Sequence, residues 1–277
     1  MNTGPGLFSD VGKKARDLLT ANYTTDKKFS VNTCSVDNGV VLTSTALKSG
    51  GLSTAAVAAK YIYKNSLIDV MVDTESNVLT TVTLTEIFPS TKGIASFKFP
   101  DCSSGKMEVQ YFHDHATFTT SVALRQSPLI NISATVGTPS MAFGAEVGYD
   151  TNSGTLTKYS AGVSAQKSDA YASIILGDKG DSIRASYVHH VDKLKKSAAA
   201  GEVMRKFSTN ENIVTVGGQY TIDPLTVVKG KLNNYGTLGA VLQHEIIPKS
   251  LLTISTEVNT KALERTPKFG LSIALVP

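Results

Sequence analysis

The sequence predicts an all-β protein, a transmembrane β-barrel of roughly twenty strands with one short amphipathic helix at its N-terminus. Segments of about ten residues alternate between apolar and polar side chains along most of the chain. Turn sequences rich in Gly, Asn and Ser separate these segments. Among the 277 residues no run approaches the ~18 consecutive apolar side chains of a membrane-spanning helix.

The N-terminal stretch from Pro5 to Thr20 has helical rather than strand periodicity. Its apolar residues fall on one arc of about 120°, with charged residues opposite. We expect one continuous helix that lies on a membrane surface, caps a soluble core, or packs against the inside of a barrel wall. The sequence therefore predicts a helix and linker over residues 1–23 and a barrel over residues 24–277.

Strand-like alternation continues from about Thr24 to the C-terminus without a break between domains. The clearest segments are 78–85, 118–125, 130–137, 141–149, 158–164, 228–232, 238–243, 252–258 and 268–275. A soluble sandwich or ligand-binding barrel would show the same alternation with the apolar face inside. So many strands, however, would enclose an apolar cavity too wide to pack, which favours a polar interior and a lipid-facing exterior.

The stretch from Tyr220 to Leu242 forms two alternating segments around an Asn-rich turn, and it resembles the signature motif of the eukaryotic porins. The matching residues are Tyr220, Asp223, Pro224, Thr226, Lys231, Leu232, Asn233, Asn234, Gly239, Ala240 and Leu242. The segment from Asp10 to Leu18 is similar to the opening helix of that family. The segment from Lys268 to Leu275 is similar to the sorting signal of mitochondrial β-barrels.

This resemblance, to the plant-type voltage-dependent anion channels, implies nineteen strands and a location in the mitochondrial outer membrane. It implies a voltage-gated, weakly anion-selective pore for passive diffusion of ions, ATP, ADP and phosphate. The alternative from another class is a mitochondrial protein-import barrel for unfolded polypeptide. A soluble binder of lipid or small molecules is a third hypothesis.

Anion selectivity is expected from basic side chains that face the lumen. Alternation along the strands places there Lys98, Lys106, Arg125, Lys158, Arg184, Lys229, Lys231 and Lys268, joined by Lys13 and Arg16 of the helix. Fewer acids share that face, among them Glu108, Glu146 and Glu257. The resemblance further implies that Lys13 contacts nucleotides.

The linker after the helix departs from the family pattern. Many members have a glycine-rich hinge there, whereas the stretch from Ala21 to Asp26 contains no glycine. Ala21 also stands where a second nucleotide-contacting lysine is expected. The sequence therefore does not support hinge-based gating or a complete family nucleotide site.

Other classes of function have little support in the sequence. The pair His113 and His115 is interpreted as exposed turn residues rather than a metal site, and we predict no enzyme activity, metal or cofactor. Cys34 and Cys102 are predicted to be free thiols. The net charge of +4 comes from lysines spread singly along strands, so nucleic acid is not a predicted partner. The predicted partners are membrane lipid, anionic metabolites, a second copy of the chain and cytosolic kinases.

Overall fold

The computed structural model describes residues 4–35, 39–192, 194, 196–262, 264 and 266–276, and this part of the chain is almost entirely β-strand. It begins with a 3₁₀ turn, Phe8–Asp10, and one helix, α1, Lys13–Thr20. Nineteen strands follow in the described residues: β1 Lys27–Ser35, β2 Val40–Ser49, β3 Leu52–Tyr63, β4 Ser66–Asp73, β5 Val78–Thr85, β6 Thr91–Phe99, β7 Gly105–Phe112, β8 Ala116–Leu124, β9 Leu129–Gly137, β10 Met141–Asp150, β11 Thr155–Gln166, β12 Ala170–Gly177, β13 Ser182–His190, β14 Ser197–Lys206, β15 Glu211–Asp223, β16 Thr226–Asn233, β17 Thr237–Ile247, β18 Ser250–Asn259 and β19 Lys268–Leu275.

The strands form one sheet in which each strand pairs with the next along the chain, and β1 also pairs with β19. At this seam the Leu271 N–H donates to the Asp26 carbonyl (3.1 Å) and the Ser30 hydroxyl to the Ile273 carbonyl (3.4 Å). Residue numbers rise together on both sides, so β1 and β19 run parallel. The sheet is therefore closed, and the predicted β-barrel of nineteen strands with a short N-terminal helix is confirmed.

Two compact units make up the chain. The first contains the chain up to Phe8, Val31–Ala46 and Thr54–Ala161. The second contains Ser9–Ser30, Leu47–Ser53 and Gly162–Pro277, and therefore includes α1 and strands β12 to β19. The division at residue 23 that the sequence suggests stays a prediction.

The outer face of the first unit is apolar and exposed. Val109 of β7, Phe118 of β8 and Ile132 of β9 are 51%, 47% and 53% exposed. The side chains next to them in each strand point the other way and are mostly polar, as with Glu108 and Ser133. Phe8 identifies this second face as the interior one, because a Cβ at Gly144 would lie 2.6 Å from the Phe8 ring.

The second unit has the same two faces. Ile174, Tyr187 and Val216 are more than half exposed on the outside. The opposite face carries α1 and buried polar residues such as Ser173 and Ser186, whose hydroxyls are 2.7 Å apart. An exposed apolar face and a polar interior are the reverse of a soluble barrel, which is the arrangement that hydrocarbon surroundings require.

The N-terminal helix is shorter than the sequence predicts. Instead of one helix from Pro5 to Thr20, the helical residues split into the 3₁₀ turn and α1. Gly12 separates them with φ +76, a left-handed conformation that ends helical hydrogen bonding. In the described residues no helix has the length and apolar character needed to cross a bilayer.

We predict that Ile132→Lys destabilises the protein in lipid vesicles by about 2–4 kcal/mol, since it places an ammonium group in hydrocarbon near the middle of β9. Ser133→Lys, one residue away, should cost much less because Ser133 faces the interior. Urea unfolding of both variants in the same vesicles measures the difference. Equal losses of stability would show that the two faces have been assigned wrongly.

Candidate pore-lining site

The apolar side of α1 is buried against strands β13 to β16. Ala15, Leu18 and Leu19 on this side are each at most 7% exposed. They form one cluster with wall residues of the second unit, Tyr171, Val188, Ala198 and Ala200. Burial of this stripe holds the helix to the wall, because apolar area removed from water stabilises by about 25 cal/mol per Å².

Small wall residues make room for the helix. A Cβ added at Gly217 of β15 would lie 2.7 Å from Leu19 Cδ2, and one at Gly162 would lie 3.3 Å from Val11 Cγ1. The wall on this side also contains Ala198 and Ala200. Larger side chains at these positions would move α1 away from the strands.

Tyr171 of β12 fixes the start of the helix. Its hydroxyl accepts a hydrogen bond from the Gly12 N–H (2.8 Å) and donates to the Asp10 carbonyl (3.3 Å). Lys14 Nζ lies 5.3 Å from the centre of the Tyr171 ring and donates to Gln166 Oε1 at 2.8 Å. One tyrosine thereby satisfies backbone groups where the 3₁₀ turn and α1 meet.

The linker that follows α1 is also held to the wall. Lys231 Nζ lies 4.2 Å from the centre of the Tyr23 ring, and a Cβ at Gly239 would lie 2.9 Å from Tyr23 Cδ1. Burial raises the pKa of Tyr23 to about 12, so its ring stays a neutral phenol beside the ammonium group. Ser255 donates a hydrogen bond to the Thr24 carbonyl. We call Tyr23, Thr24, Lys231 and Ser255 the linker contacts.

Two motif glycines acquire a role from these contacts. Gly239 lies under the Tyr23 ring, and Gly270 of the C-terminal strand lies under the Thr24 carbonyl. A side chain at either position would occupy the space of the linker. The residues around Ala21–Asp26 therefore lack a flexible glycine but pack on glycines of the wall.

The Asn pair of the motif holds a turn. Asn233 Oδ1 accepts from the Thr237 N–H (2.8 Å). Asn234 accepts from the Val214 N–H (3.2 Å) and donates to the Asn212 carbonyl (2.8 Å), which joins the β16–β17 turn to the start of β15.

On the helix, Lys13 and Arg16 point away from the wall and are exposed. Lys13 Nζ lies 3.5 Å from the Asp10 carboxylate, and its side chain is 57% exposed. Both residues can meet solutes on the interior side, and the predicted nucleotide contact of Lys13 stays a prediction.

The basic residues of the second unit fall into covered and exposed positions. Register places Arg184, Lys229, Lys231 and Lys268 on the face that carries α1. Lys229 is only 9% exposed, and Lys231 is covered by Tyr23. Arg184 Nε lies 3.8 Å from Glu202, and exposed Lys268 is directly opposite Glu257. Lys229 and Lys231 thus contribute mainly to holding the helix and linker.

In the first unit, Lys98, Lys106 and Lys158 have interior register. Lys106 Nζ lies 2.8 Å from Glu108, and Lys158 Nζ lies 2.5 Å from Glu146. Arg125 differs from the expectation of a strand residue, because β8 ends at Leu124 and the Arg125 Nε donates to the Ser127 carbonyl at 2.9 Å.

Further basic residues of the described chain lie on the interior side and were not among those predicted, including Lys14, Lys60, Lys92 and Lys206. Lys60 lies 3.7 Å from Asp69 on the neighbouring strand. Lys92 lies an even number of residues before Lys98 in β6, so both side chains are on the same face. Lys206 is directly opposite Ser182, which is on the same face of β13 as Arg184. Extending the alternation to both ends of each strand would have found the three strand lysines.

The remaining candidates lie outside this site. His113 and His115 occupy the exposed turn between β7 and β8, with ring centres 6.3 Å apart. No group of three or more His, Cys, Asp or Glu side chains in the described residues is arranged to hold a metal ion. The side chains of Cys34 and Cys102 lie outside the described part of the structure.

The arrangement provides fixed charges along the interior face of the sheet. A Debye length of about 8 Å at physiological salt lets such charges bias the local concentration of ions without excluding either sign. Several of these lysines, such as Lys106 and Lys158, have a carboxylate within an ion-pair distance, which compensates part of their positive charge locally. A closed sheet with this interior defines a β-barrel pore protein.

Comparison with known proteins gives the family. The model of the family "Eukaryotic porin" matches residues 4–270, so the chain belongs to the eukaryotic porins. It is 66% identical over 277 residues, the full length of both chains, to "Mitochondrial outer membrane protein porin 2" of Arabidopsis thaliana. It is 55% identical to "Mitochondrial outer membrane protein porin 5" of Oryza sativa, over 99% of each chain. It is 47% identical, over the full length of both chains, to "Outer plastidial membrane protein porin" of Pisum sativum.

A solved bacterial porin shares the fold at low sequence identity. A triple mutant of the Rhodopseudomonas blastica porin matches with a TM-score of 0.51 and 9% identity, over 79% of this chain and 88% of that one.

We predict that Gly12→Ala loosens the N-terminal segment. An alanine at φ +76 is strained, and its Cβ would lie 3.2 Å from Ser173 Oγ. A cost of about 1–3 kcal/mol should raise the rate of tryptic cleavage at the helix lysines roughly fivefold or more in vesicles. Gly180→Ala is the matched control, because Gly180 has φ +87 and nothing near its Cβ position. Wild-type cleavage in the Gly12 variant would contradict the proposed anchoring.

A second prediction concerns the linker contacts. In a double-mutant cycle, Tyr23→Leu and Lys231→Met should show a coupling of about 0.5–2 kcal/mol in the free energy of unfolding, because each removes the same cation–π contact. The pair Arg205 and Phe207, at 5.8 Å, is the comparison and should couple less. Additive effects of the Tyr23 and Lys231 changes would show that the contact does not hold the linker.

Proposed function

We propose that the chain is a voltage-gated, weakly anion-selective pore of the mitochondrial outer membrane. It allows passive diffusion of ions and small metabolites such as ATP, ADP and phosphate. The observation that carries this proposal is the closed sheet with an apolar exterior and charged side chains on its interior face. Membership of the eukaryotic porins and the names of the plant relatives support the same pore and the same membrane.

Selectivity is assigned to the exposed interior lysines rather than to all basic residues of that face. Lys106 and Lys158 retain 48% and 54% of their side-chain exposure, although each contacts a carboxylate. Lys229 and Lys231 lie beneath the helix and linker. The exposed lysines therefore act on passing anions, while the covered ones keep α1 in place, and multivalent metabolites respond more strongly than chloride.

Planar-bilayer recording of the refolded chain tests the proposal. Under a salt gradient the open state should show a reversal potential biased toward anions. Lys98→Glu, Lys106→Glu and Lys158→Glu together reverse three interior charges without touching α1, and should move the reversal potential toward cations. Stepped voltages should produce closing to lower conductance states.

Lys64→Glu is the control. The Lys64 ammonium lies 5.4 Å from the ring centre of Tyr63, which faces outward, so its reversal should change selectivity little. A folded barrel without conductance would contradict the pore. A triple variant that conducts with the reversal potential of the wild type would support the pore but show that these three lysines do not determine its selectivity.

The proposed partners are anionic metabolites, a second copy of the chain and cytosolic kinases, besides the lipid that surrounds the barrel. The protein-import alternative predicts that a mitochondrial targeting peptide enters and blocks the pore at low concentration. Unimpeded ATP flux in the presence of that peptide favours the metabolite pore.

A further inference from the structure

Two threonine hydroxyls are buried beside Phe8 on the interior face of the first unit. Thr117 of β8 and Thr135 of β9 are directly opposite each other, and they are 2% and 1% exposed. Neither side-chain oxygen has a hydrogen-bond partner in the described part of the structure. Gly144 of β10 is opposite Thr135 on its other side. We call Thr117, Thr135 and Gly144 the Phe8 seat.

The Phe8 ring occupies the space above Gly144. A Cβ added at this glycine would lie 2.6 Å from Phe8 Cδ2 and 3.1 Å from Thr135 Oγ1. The Thr135 hydroxyl therefore points to the border of the space that the ring fills. Ala142, which is buried, lies on the same face of β10. A glycine and an alanine thus make room for one aromatic ring beside two hydroxyl groups.

A phenyl ring offers these hydroxyls no hydrogen bond of ordinary strength. A hydroxyl group that is buried without a partner is unfavourable, and most buried polar side chains in proteins are paired. Other buried hydroxyls of this chain follow that rule. Ser173 and Ser186 lie 2.7 Å apart, and Ser121 accepts from Asn131 Nδ2 at 3.5 Å. Two threonines that lower stability at one place indicate a role other than packing.

The ring can leave the seat without any change in the strands. Phe8 begins a 3₁₀ turn of three residues, Phe8–Asp10, and Gly6 two residues earlier has φ +79. Hydrogen-bond geometry in a 3₁₀ turn is poorer than in an α-helix, and glycine adopts either sign of φ at little cost. Rotation at this short turn is therefore sufficient to move the Phe8 side chain.

We propose that the Phe8 seat is a binding site for a neutral, single-ring phenol that takes the place of the Phe8 ring. The aromatic ring of the ligand fills the space above Gly144. A phenol oxygen is both donor and acceptor, so it can accept from one threonine hydroxyl and donate to the other. An aromatic carboxylate fits less well, because a buried charge needs a cation beside it and all three residues of the seat are uncharged. This ligand site is separate from the ion selectivity proposed above.

Fluorinated probes test the proposal on the full chain in lipid vesicles. 4-Fluorophenol and fluorobenzene are titrated against each variant, and ¹⁹F NMR measures the bound fraction. Partition of a probe into the lipid is the same for every variant, so a difference between variants reports a site on the protein. Phe8→Ala is compared with the wild type because it removes the competing ring, and Phe8→Leu is the second variant should the first fold poorly.

We expect Phe8→Ala to bind both probes, and 4-fluorophenol about twofold to tenfold more tightly than fluorobenzene, as one or two added hydrogen bonds provide. The wild type should bind 4-fluorophenol more weakly than Phe8→Ala does, because the ligand must first displace Phe8. Thr117→Val and Thr135→Val together, added to Phe8→Ala, should abolish the preference for the phenol and leave fluorobenzene binding unchanged. Thr119→Val is the matched control, since Thr119 lies on the same face of β8 two residues away, and should keep the preference.

Urea unfolding without any probe tests the premise independently. Thr135→Val should raise the midpoint of unfolding, because it removes a buried hydroxyl that has no partner. Ser173→Ala should lower the midpoint, because it leaves the Ser186 hydroxyl without the bond it now has. A Thr135→Val variant that loses as much stability as Ser173→Ala would show that the Thr135 hydroxyl is already satisfied.

Several results would overturn the site. Equal affinities of the two probes for Phe8→Ala, or a preference that survives both valine substitutions, would show that the threonines do not recognise the ligand. Tighter binding of 4-fluorobenzoate than of 4-fluorophenol would reject the neutral class. A folded wild type without saturable 4-fluorophenol binding would show that the ligand does not displace Phe8.

Discussion

Hydrogen bonding of the backbone in hydrocarbon is the constraint on which this structure depends. Lipid offers no partner for an N–H or C=O group, so a spanning sheet must leave no open edge. Here the seam between β1 and β19 removes both edges. With nineteen strands that alternate in direction, the seam is necessarily parallel, and the hydrogen bonds of Asp26 and Ser30 show it.

Inside the closed sheet, the position of α1 determines which interior side chains are covered and which remain exposed. Small residues on β14 and β15, alanines and glycines, allow Leu18 and Leu19 to pack closely against the wall. Tyr171 holds the start of the helical segment, and Tyr23 holds the linker that follows it. The interior of the second unit thus has a structural part beneath the helix and an exposed part beyond it. Lysines on the same face of the sheet therefore differ in role, because those beneath the helix and linker are covered and those beyond them are exposed.

Much of this architecture could be predicted from the sequence, because alternation with a period of two reports directly which side of a strand faces hydrocarbon. The strands around Phe118 and Ile132 follow the expected alternation closely. The motif and the C-terminal segment indicated the family, and the comparisons confirm it.

The remainder depends on long-range contacts that local patterns do not contain. At the break in the helix, the Gly12 N–H is satisfied by a tyrosine 159 positions away. The burial of Lys229 follows from where α1 docks, and alternation assigns a face without saying what covers it. Arg125 was placed by extending the alternation one residue too far, past the point where the chain turns.

The linker contacts also bear on how the protein is made. Thr24 meets Ser255, a residue 231 positions later in the chain, and the first strand pairs with the last. The N-terminal strand therefore has no final neighbour until the whole chain has been synthesised. Contacts of such sequence separation are slow to form, and a strand edge is prone to aggregation until its partner strand has paired with it. The linker around Thr24 can take its final position only when the C-terminal strands are in place, so closure of the wall and placement of the linker both belong to a late stage of assembly.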